Sequence, residues 1–369
     1  MKIAIDARMY QESGIGRYIR NLINKLDGKN EYFILLSKND FHNLTFNKNF
    51  KKILADFSWY GVTEQIKLPK LLNSLKVDLV HFPHFNVPIF LGRMPASFAY
   101  QGKFIVTIHD LIHQHFQMRR STTLNPITYK IKQLAYGAIF RNAINKSLKI
   151  LVPSNYVKDL LIKEWRVVEE KIVVTPEAVD DKLLAILPKV SKIKSPYIFY
   201  VGNAHPHKNV EGLIKAFLVL QKKYQDLTLI LSGSDHYFWQ RIKKEFQQKN
   251  IIYTGAISDE ELVTLYRNAR CFVMPSFEEG FGIPLLEAMS CDCSVVSSNA
   301  GSLKEVGGDA CLYFDPGDKE DMVNKIDKVL NDEGLRKDLI EKGQKRVKQF
   351  SWEKLAQSTM EVYQKCVSQ

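Results

Sequence analysis

Twelve short apolar runs, spaced by helix-length stretches, limit what this chain can fold into more than any other feature. In the first half they read KIAIDA (2–7), YFILLS (32–37), KKILAD (51–56), VDLVHF (77–82), FIVTIHD (104–110) and KILVPS (149–154). In the second half they read YIFYVGN (197–203), LTLILSG (227–233), IIYTG (251–255), CFVMPS (271–276), SVVSS (294–298) and ACLYF (310–314). Runs this apolar and β-branched, each followed by a helix-length segment, predict parallel strands buried on both faces. A chain of 369 residues is too long for one ordinary core. Two sets of strands therefore imply two doubly wound α/β domains rather than one large sheet. The stretch 178–196 is charged, carries Pro188 and Pro196 and has no long period, which puts the boundary there. We divide the chain into 1–185, 186–350 and a last segment, 351–369. That segment opens with Ser351 as an N-cap candidate and runs as one helix. Pattern alone does not say where it docks. In open α/β sheets ligands bind beyond the carboxyl ends of the strands, so two such domains facing each other would enclose a cleft.

Composition excludes several classes. No segment reaches about 18 uninterrupted apolar residues, so no membrane-spanning helix is expected. The first residues, MKIAIDA, already read as a strand and not as a secretion leader, so a cytoplasmic location is expected. Five cysteines (Cys271, Cys291, Cys293, Cys311 and Cys366) are expected as buried reduced thiols. Cys291 and Cys293 have no second pair at zinc spacing. The net charge of +12 is unevenly spread. Residues 1–150 carry 22 Lys and Arg against 9 Asp and Glu, and residues 151–369 carry 30 against 31. The excess in the first part suits an anionic partner: a phosphate-bearing substrate or an anionic membrane surface. No zinc-finger, RNA-binding or basic-zipper pattern accompanies it, so nucleic acid is not expected. A lysine-rich solvated surface would look the same.

The strongest motif is CFVMPSFEEGFGIPLLEAM (271–289). A strand ends at Ser276, a Gly-rich loop follows, and Pro284 is read as the first residue of a helix, where its missing N–H costs nothing. The loop Gly280-Phe281-Gly282-Ile283 then presents unpaired N–H groups at the positive end of a helix dipole, an anion site suited to a diphosphate. Glu279 precedes the glycines and Glu287 lies about one turn into the helix. Carboxylates would repel a diphosphate that they touched. They are better placed as acceptors for hydroxyl groups on the two sugars that flank it.

With Glu279, seven residues, then Glu287 around GFG-x-P, the chain resembles the family-four retaining glycosyltransferases of the GT-B fold, and the similarity in organisation covers nearly all of it. The resemblance implies that Glu279 binds hydroxyls of the transferred sugar and that Glu287 binds the ribose. It implies that the backbone amides of Phe281, Gly282 and Ile283 hold sugar and phosphate oxygens. The last helix would cross back to pack on the N-terminal domain.

Four further motifs follow strands. In SGIGRYIRNL (13–22), Gly14 and Gly16 allow positive φ and close approach, and Arg17 is read as opening a helix. A plain turn explains the loop equally well, and Ile19 breaks the GxGxxG fingerprint. The resemblance puts this loop beside the donor diphosphate and the acceptor. In VGNAHPHKNVEGLIKAF (201–217), Lys208 is a natural diphosphate cation. The family usually has Arg at Asn203 and often at His207, so this sequence departs at both. Asn203 brings no charge, and His207 brings it only when protonated. In FIVTIHDLI (104–112), His109 ends a strand, and the resemblance gives it a contact with the transferred sugar. In IIYTGAISDEEL (251–262), Ser258 and Glu261 form a capping box. The resemblance puts Gly255, Ala256 and Ile257 beside the nucleotide base.

Five of nine histidines fall between 81 and 115, but most lack an accompanying carboxylate and the resembled family generally needs no metal. HFPHFNVPIF (81–90) reads as an aromatic loop on the acceptor side. The segment 119–146 is basic, aromatic and free of acids, which suits anionic lipid or a domain helix with a basic outer side.

The expectation is a metal-independent retaining glycosyltransferase without cofactor. Its co-substrate is a nucleotide-sugar, and its acceptor is a saccharide or a lipid-pyrophosphate-linked oligosaccharide, handled in the cytoplasm or at the inner face of the membrane. The sections IDARMYQESGIGRYIRNL and HFPHFNVP are similar to those of bacterial surface-polysaccharide mannosyltransferases, which implies GDP-mannose. The alternatives are a UDP-sugar donor, a nucleotide-sugar 2-epimerase of the same fold, and a carbohydrate-binding module without turnover.

Overall fold

The apolar runs pair side by side, all parallel, in two separate sheets. A computed structural model describes residues 1–12, 14–88, 100–116, 126–187 and 193–369. The expectations for Ser13, for the end of the HFPHFNVPIF loop, for Pro188 and for the start of the basic segment 119–146 lie outside the described residues.

The first sheet contains β1 (Lys2–Asp6), β2 (Glu31–Leu36), β3 (Phe50–Leu54), β4 (Leu79–Phe82), β5 (Phe104–Thr107), β6 (Ile150–Val152) and β7 (Ile172–Val174), in the order β3-β2-β1-β4-β5-β6-β7. The second contains β8 (Tyr197–Val201), β9 (Thr228–Ser232), β10 (Ile251–Gly255), β11 (Cys271–Met274), β12 (Val295–Ser298) and β13 (Cys311–Phe314), in the order β10-β9-β8-β11-β12-β13. Strands such as β4, β5, β9 and β11 are buried at every residue, as strands covered by helices on both faces must be. The sequence reading did not include β7. It is three residues long, lies at a sheet edge and follows a 3-10 turn, so its apolar run is too short to stand out.

Several helices start where a side chain caps them. Ser154 accepts from the Val157 N–H at the head of α6 (Asn155–Trp165). The expected capping box of Ser258 and Glu261 is present at α10 (Asp259–Asn268). Such caps satisfy N–H groups that have no partner inside the helix.

The chain divides into two compact units. One comprises Met1–Leu111, Thr122–Glu177 and Trp352–Gln369, the other Ile112–Ser121 and Ala178–Ser351. The division falls after Glu177 because Val179 and Leu183 are buried in the second unit's core with Tyr197 and Phe199. The basic segment forms α5 (Pro126–Lys146), whose residues Ile139, Phe140, Ala143 and Ile144 belong to the first unit's core. The last helix, α15 (Trp352–Ser368), packs within the first unit against β4 and against α1 (Gly14–Lys25). A buried polar chain ties it to the sheet. His81 Nδ1 lies 2.7 Å from the Tyr363 hydroxyl, His81 Nε2 lies 2.8 Å from Thr107 Oγ1, and Thr107 Oγ1 lies 3.1 Å from the Tyr18 hydroxyl. All five cysteines are buried and unpaired.

Candidate functional site

In the second unit the winding reverses between β8 and β11. Loops that leave neighbouring strands in opposite directions open a crevice at the carboxyl edge of the sheet. The loop after β8 carries Asn203 to Lys208, and the loop after β11 carries Ser276 to Gly282. Asn209 ties them together. It sits in the left-handed region at φ 54°, which Asn tolerates better than most residues. Its Nδ2 donates to the Pro275 and Pro316 carbonyls, each at 3.1 Å. The Phe277 N–H donates to the His207 carbonyl at 2.7 Å.

That bracing brings two of the expected site residues into contact. Lys208 Nζ donates to both carboxylate oxygens of Glu279 at 2.7 Å. Ser276 Oγ donates to Glu279 Oε1 at 2.6 Å. Glu279 is 6% exposed, so its carboxylate depends on these partners. Gly280 and Phe281 follow, both buried. Gly282 caps α11 (Ile283–Ser290) at φ 98°, and a Cβ there would lie 2.7 Å from Leu303 Cδ2. Ile283 is the first helical residue, so Pro284 is the second and not the first as expected. Its missing N–H still falls among the unpaired ones of the first turn. Glu287 is buried inside α11 and accepts from the Tyr266 hydroxyl at 3.1 Å.

Asn203 is exposed and accepts from the His205 N–H at 3.2 Å, an Asx-type turn. Gly255 closes β10 at φ 74°, its carbonyl accepting from Ser232 Oγ at 3.2 Å, and Ile257 precedes the α10 cap. His207 would bring positive charge only when protonated, and the structure decides against that. Burial first, then the charge of Lys208, push its pKa down to about 2, so the ring is neutral. Lys208 is the cation of this loop.

In the first unit the reversal lies between β1 and β4. The helix α1 starts at Gly14, ahead of the expected Arg17, so both glycines lie in its first turn. Gly16 does not have the positive φ that glycine allows. What Gly16 provides is close approach, since a Cβ would lie 2.5 Å from the Tyr10 carbonyl oxygen. His109 lies two residues beyond β5. Its Nε2–H donates to the Pro83 carbonyl at 2.9 Å, and its Nδ1 faces Glu177 Oε1 at 3.1 Å. The carbonyl makes Nε2 the donor, so a bond from Nδ1 to the carboxylate requires the second proton. Burial opposes that charge, but the bond and charge of Glu177 outweigh it and hold the His109 pKa above its ordinary value. The ring of Tyr18 packs edge-on at 4.9 Å.

The histidines of 81–115 take different partners: His81 bonds Tyr363 and Thr107, His109 bonds Glu177, and His115 Nδ1 donates to both oxygens of Glu278 at 2.8 Å. Among the described residues no group of three or more His, Cys, Asp or Glu is placed to hold a metal ion.

Buried neutral histidines make stability depend on pH. Burial lowers the His81 pKa to about 3. An unfolded chain binds that proton below roughly pH 6.5, so from there down to about pH 3 the unfolded state holds more protons. Stability therefore rises with pH in this window, by up to about 1.4 kcal/mol per pH unit. His109 acts with the opposite sign: its raised pKa stabilises below pH 6.5, and the gain is lost as pH rises through its folded value. Urea unfolding at pH 7 and pH 5 should give a lower midpoint at pH 5, and His81→Gln should narrow the difference. An equal difference in that variant would remove His81 as a cause.

Sequence reasoning passed over Glu177, Ser276, Tyr266 and Ser302. Glu177 follows the strand that was not read, so no signal pointed to it. Ser302 N–H donates to the Glu279 carbonyl at 3.2 Å and its hydroxyl lies 2.9 Å from the Phe281 carbonyl. Its only local trace is the SNAGS turn after β12.

Two parallel, doubly wound units of this strand order are the architecture of the GT-B class of glycosyltransferases. Residues 13–183 match the family described as Glycosyltransferase Family 4, and residues 186–346 match Glycosyl transferases group 1. The chain is 30% identical to O-antigen chain mannosyltransferase B of Escherichia coli, over 98% of this chain and 99% of that one. It belongs to the family-four glycosyltransferases. In fold it is similar to sucrose-phosphate synthase from Thermosynechococcus elongatus (TM-score 0.77, 20% identity, covering 100% and 99% of the two chains). It is likewise similar to Anabaena HepE in complex with UDP and glucose (TM-score 0.73, 17% identity, covering 99% of each).

Proposed function

We propose that the protein transfers mannose from GDP-mannose, with retention at the anomeric carbon, to a saccharide or lipid-pyrophosphate-linked oligosaccharide in cell-surface polysaccharide synthesis. The observation that carries the reading is the Lys208–Glu279 pair at the switch point of the second unit, beside the N-terminus of α11. A cation and a helix end together offer positive charge to a leaving diphosphate. Buried Glu279 offers acceptors to hydroxyls of the transferred sugar, and Glu287 offers them to the ribose. Phe281, Gly282 and Ile283 contribute backbone amides at the helix start. Gly255 and Ile257 border the base, and Asn203 contributes one uncharged donor.

On this reading His109, held on Glu177 and Pro83, contacts the transferred sugar, and the loop of Gly14 and Gly16 borders the donor diphosphate and the acceptor. The transition state is oxocarbenium-like. The bond from anomeric carbon to phosphate oxygen breaks, the acceptor oxygen bonds on the same face, and the leaving phosphate takes the acceptor proton. Lys208 and the helix dipole neutralise the diphosphate, so the reading needs neither a metal nor another cofactor. The mannose assignment draws on the name of the Escherichia coli relative. The basic first half suits the pyrophosphate of a lipid-linked acceptor, met at the inner face of the membrane. Among the described residues no helix is long and apolar enough to cross a membrane.

A UDP-sugar is the second reading, because HepE is similar in fold and its structure holds UDP. Full-length protein, incubated with GDP-mannose or UDP-sugars, EDTA and lipid-linked acceptors, should release GDP and give an α-linked product by NMR. A β-linked product would sink retention, UDP release alone would select the second reading, and an epimerised donor without acceptor would make the protein an epimerase.

A further inference from the structure

The switch point of the first unit holds a polar cluster that the donor chemistry does not use. Asp6 ends β1, and Arg8 follows two residues later. Arg8 Nε donates to Asp6 Oδ1 at 2.8 Å and Nη2 to Asp6 Oδ2 at 2.6 Å. The same Nη2 reaches Glu64 Oε1 at 2.6 Å, from the helix Val62–Leu75. Asn86, in the loop after β4, donates its Nδ2 to both oxygens of Glu64, at 2.9 and 3.0 Å. The Phe57 ring lies 5.0 Å from the guanidinium. Arg8, Glu64 and Asn86 are 4%, 1% and 3% exposed.

Among the described residues, two atoms of this otherwise bonded cluster have no partner: Arg8 Nη1 and Asn86 Oδ1. The amide orientation is not arbitrary, since only the NH₂ group can face a carboxylate. One unpartnered donor and one unpartnered acceptor, both buried, are costly to leave unmade. Both residues line a small pocket with Asp6, Ile15, Pro83 and His84, of about 10 Å³, room for one water-sized group.

The chemistry of that pocket selects its ligand. Two carboxylates surround one guanidinium, so the cluster carries a net negative charge and repels phosphate. Its volume excludes a ring. A hydroxyl group fits, because it accepts one hydrogen bond and donates another. We infer that the pocket is a hydroxyl-recognition subsite for the acceptor saccharide, in which Arg8 Nη1–H donates to the sugar oxygen and that hydroxyl donates to Asn86 Oδ1. The inference rests on the reading of this protein as a glycosyltransferase whose first unit takes the acceptor. It makes Arg8 and Asn86 specificity residues. An acceptor that lacks the hydroxyl, or carries it in the other configuration, leaves two buried polar groups unpaired.

The test is binding by ligand-observed NMR to the full chain in the presence of GDP. The ligands are the methyl α-pyranosides of mannose, glucose and galactose and their mono-deoxy forms. For the sugar that binds best, one deoxy form should bind about 10- to 100-fold more weakly and the others nearly as well as the parent. Asn86→Ala should weaken the parent to the level of that deoxy form while keeping its melting temperature within a few degrees and its affinity for GDP. Equal affinities across the wild-type panel, no binding by any sugar, or discrimination that survives in Asn86→Ala would each overturn the inference and leave a pocket filled by structural water. The wild-type panel stands alone if the variant does not fold. Sugar transfer is assayed separately. Position-specific discrimination without transfer would defeat the proposed reaction and leave the subsite, and transfer without discrimination would do the reverse.

Discussion

Replacing Glu279 with glutamine is expected to lower kcat for sugar transfer by about 10²- to 10³-fold, the usual cost of removing one electrostatic contact to a transition state. The reason is local. Glu279 is held by Lys208 Nζ on both oxygens at 2.7 Å and by Ser276 at 2.6 Å. Glutamine keeps the shape and the acceptor for Ser276, but it removes the charge that faces Lys208. The fold should survive, because the Lys208 side chain is 17% exposed and reaches water. Affinity for GDP should change by no more than a few-fold. Lys208→Met should cost a similar factor, and the double variant should cost little more than either alone, as groups acting as one unit do. Transfer by Glu279→Gln within threefold of wild type would remove this carboxylate from the reaction centre.

The second large effect concerns stability. Trp352→Ala should destabilise the first unit by about 3–5 kcal/mol, the range for removing a buried large aromatic. Trp352 is 1% exposed, and its ring meets Tyr18 edge-on at 6.3 Å. It opens α15, whose Leu355, Ala356, Thr359, Met360, Tyr363 and Cys366 are buried in turn. For a unit of this size each kcal/mol moves the melting temperature by about 2–4 °C, so a fall of roughly 10 °C is expected by calorimetry. GDP affinity should change little, because Lys208, Gly255, Ile257 and Glu287, proposed to hold the diphosphate, base and ribose, belong to the other unit. An unchanged melting temperature would mean that α15 is not fastened through Trp352.

The two effects differ in how far sequence exposed them. Glu279 was visible because its neighbours form a local pattern: a strand, glycines, a proline and a second carboxylate within one short stretch. The wide features of the fold were visible for the same kind of reason. Burial on both faces writes itself into a strand as an unbroken apolar run, and a helix start writes itself as Ser258 followed by Glu261. Segments too short to carry a pattern were lost, as β7 was. Local reading also erred where backbone geometry depends on neighbours. Gly16 is small because the Tyr10 carbonyl lies against it, and not because its φ is positive.

His207 shows the same limit in electrostatics. The sequence leaves the charge of His207 open, conditional on protonation, and burial in the folded unit makes it neutral. His109 goes the other way, since Glu177 favours its charge. Two residues of one type, each in a segment that follows a strand, acquire opposite character, one from burial and the other from a carboxylate 68 residues away.

By itself, then, the sequence determined the class of the fold, the Gly-rich helix start and the identity of Lys208, Glu279 and Glu287 as candidates, because each depends on residues within a turn or a strand of one another. Tertiary structure decided which of them meet. Lys208 and Glu279 are 71 residues apart and His109 and Glu177 are 68 apart. They touch because strand order puts β8 beside β11 and carries β5 and β7 into one sheet. The cluster of Arg8, Glu64 and Asn86 and the place of the last helix were decided in the same way. Strand order follows from how the whole buried sheet packs, and no single stretch of residues encodes it.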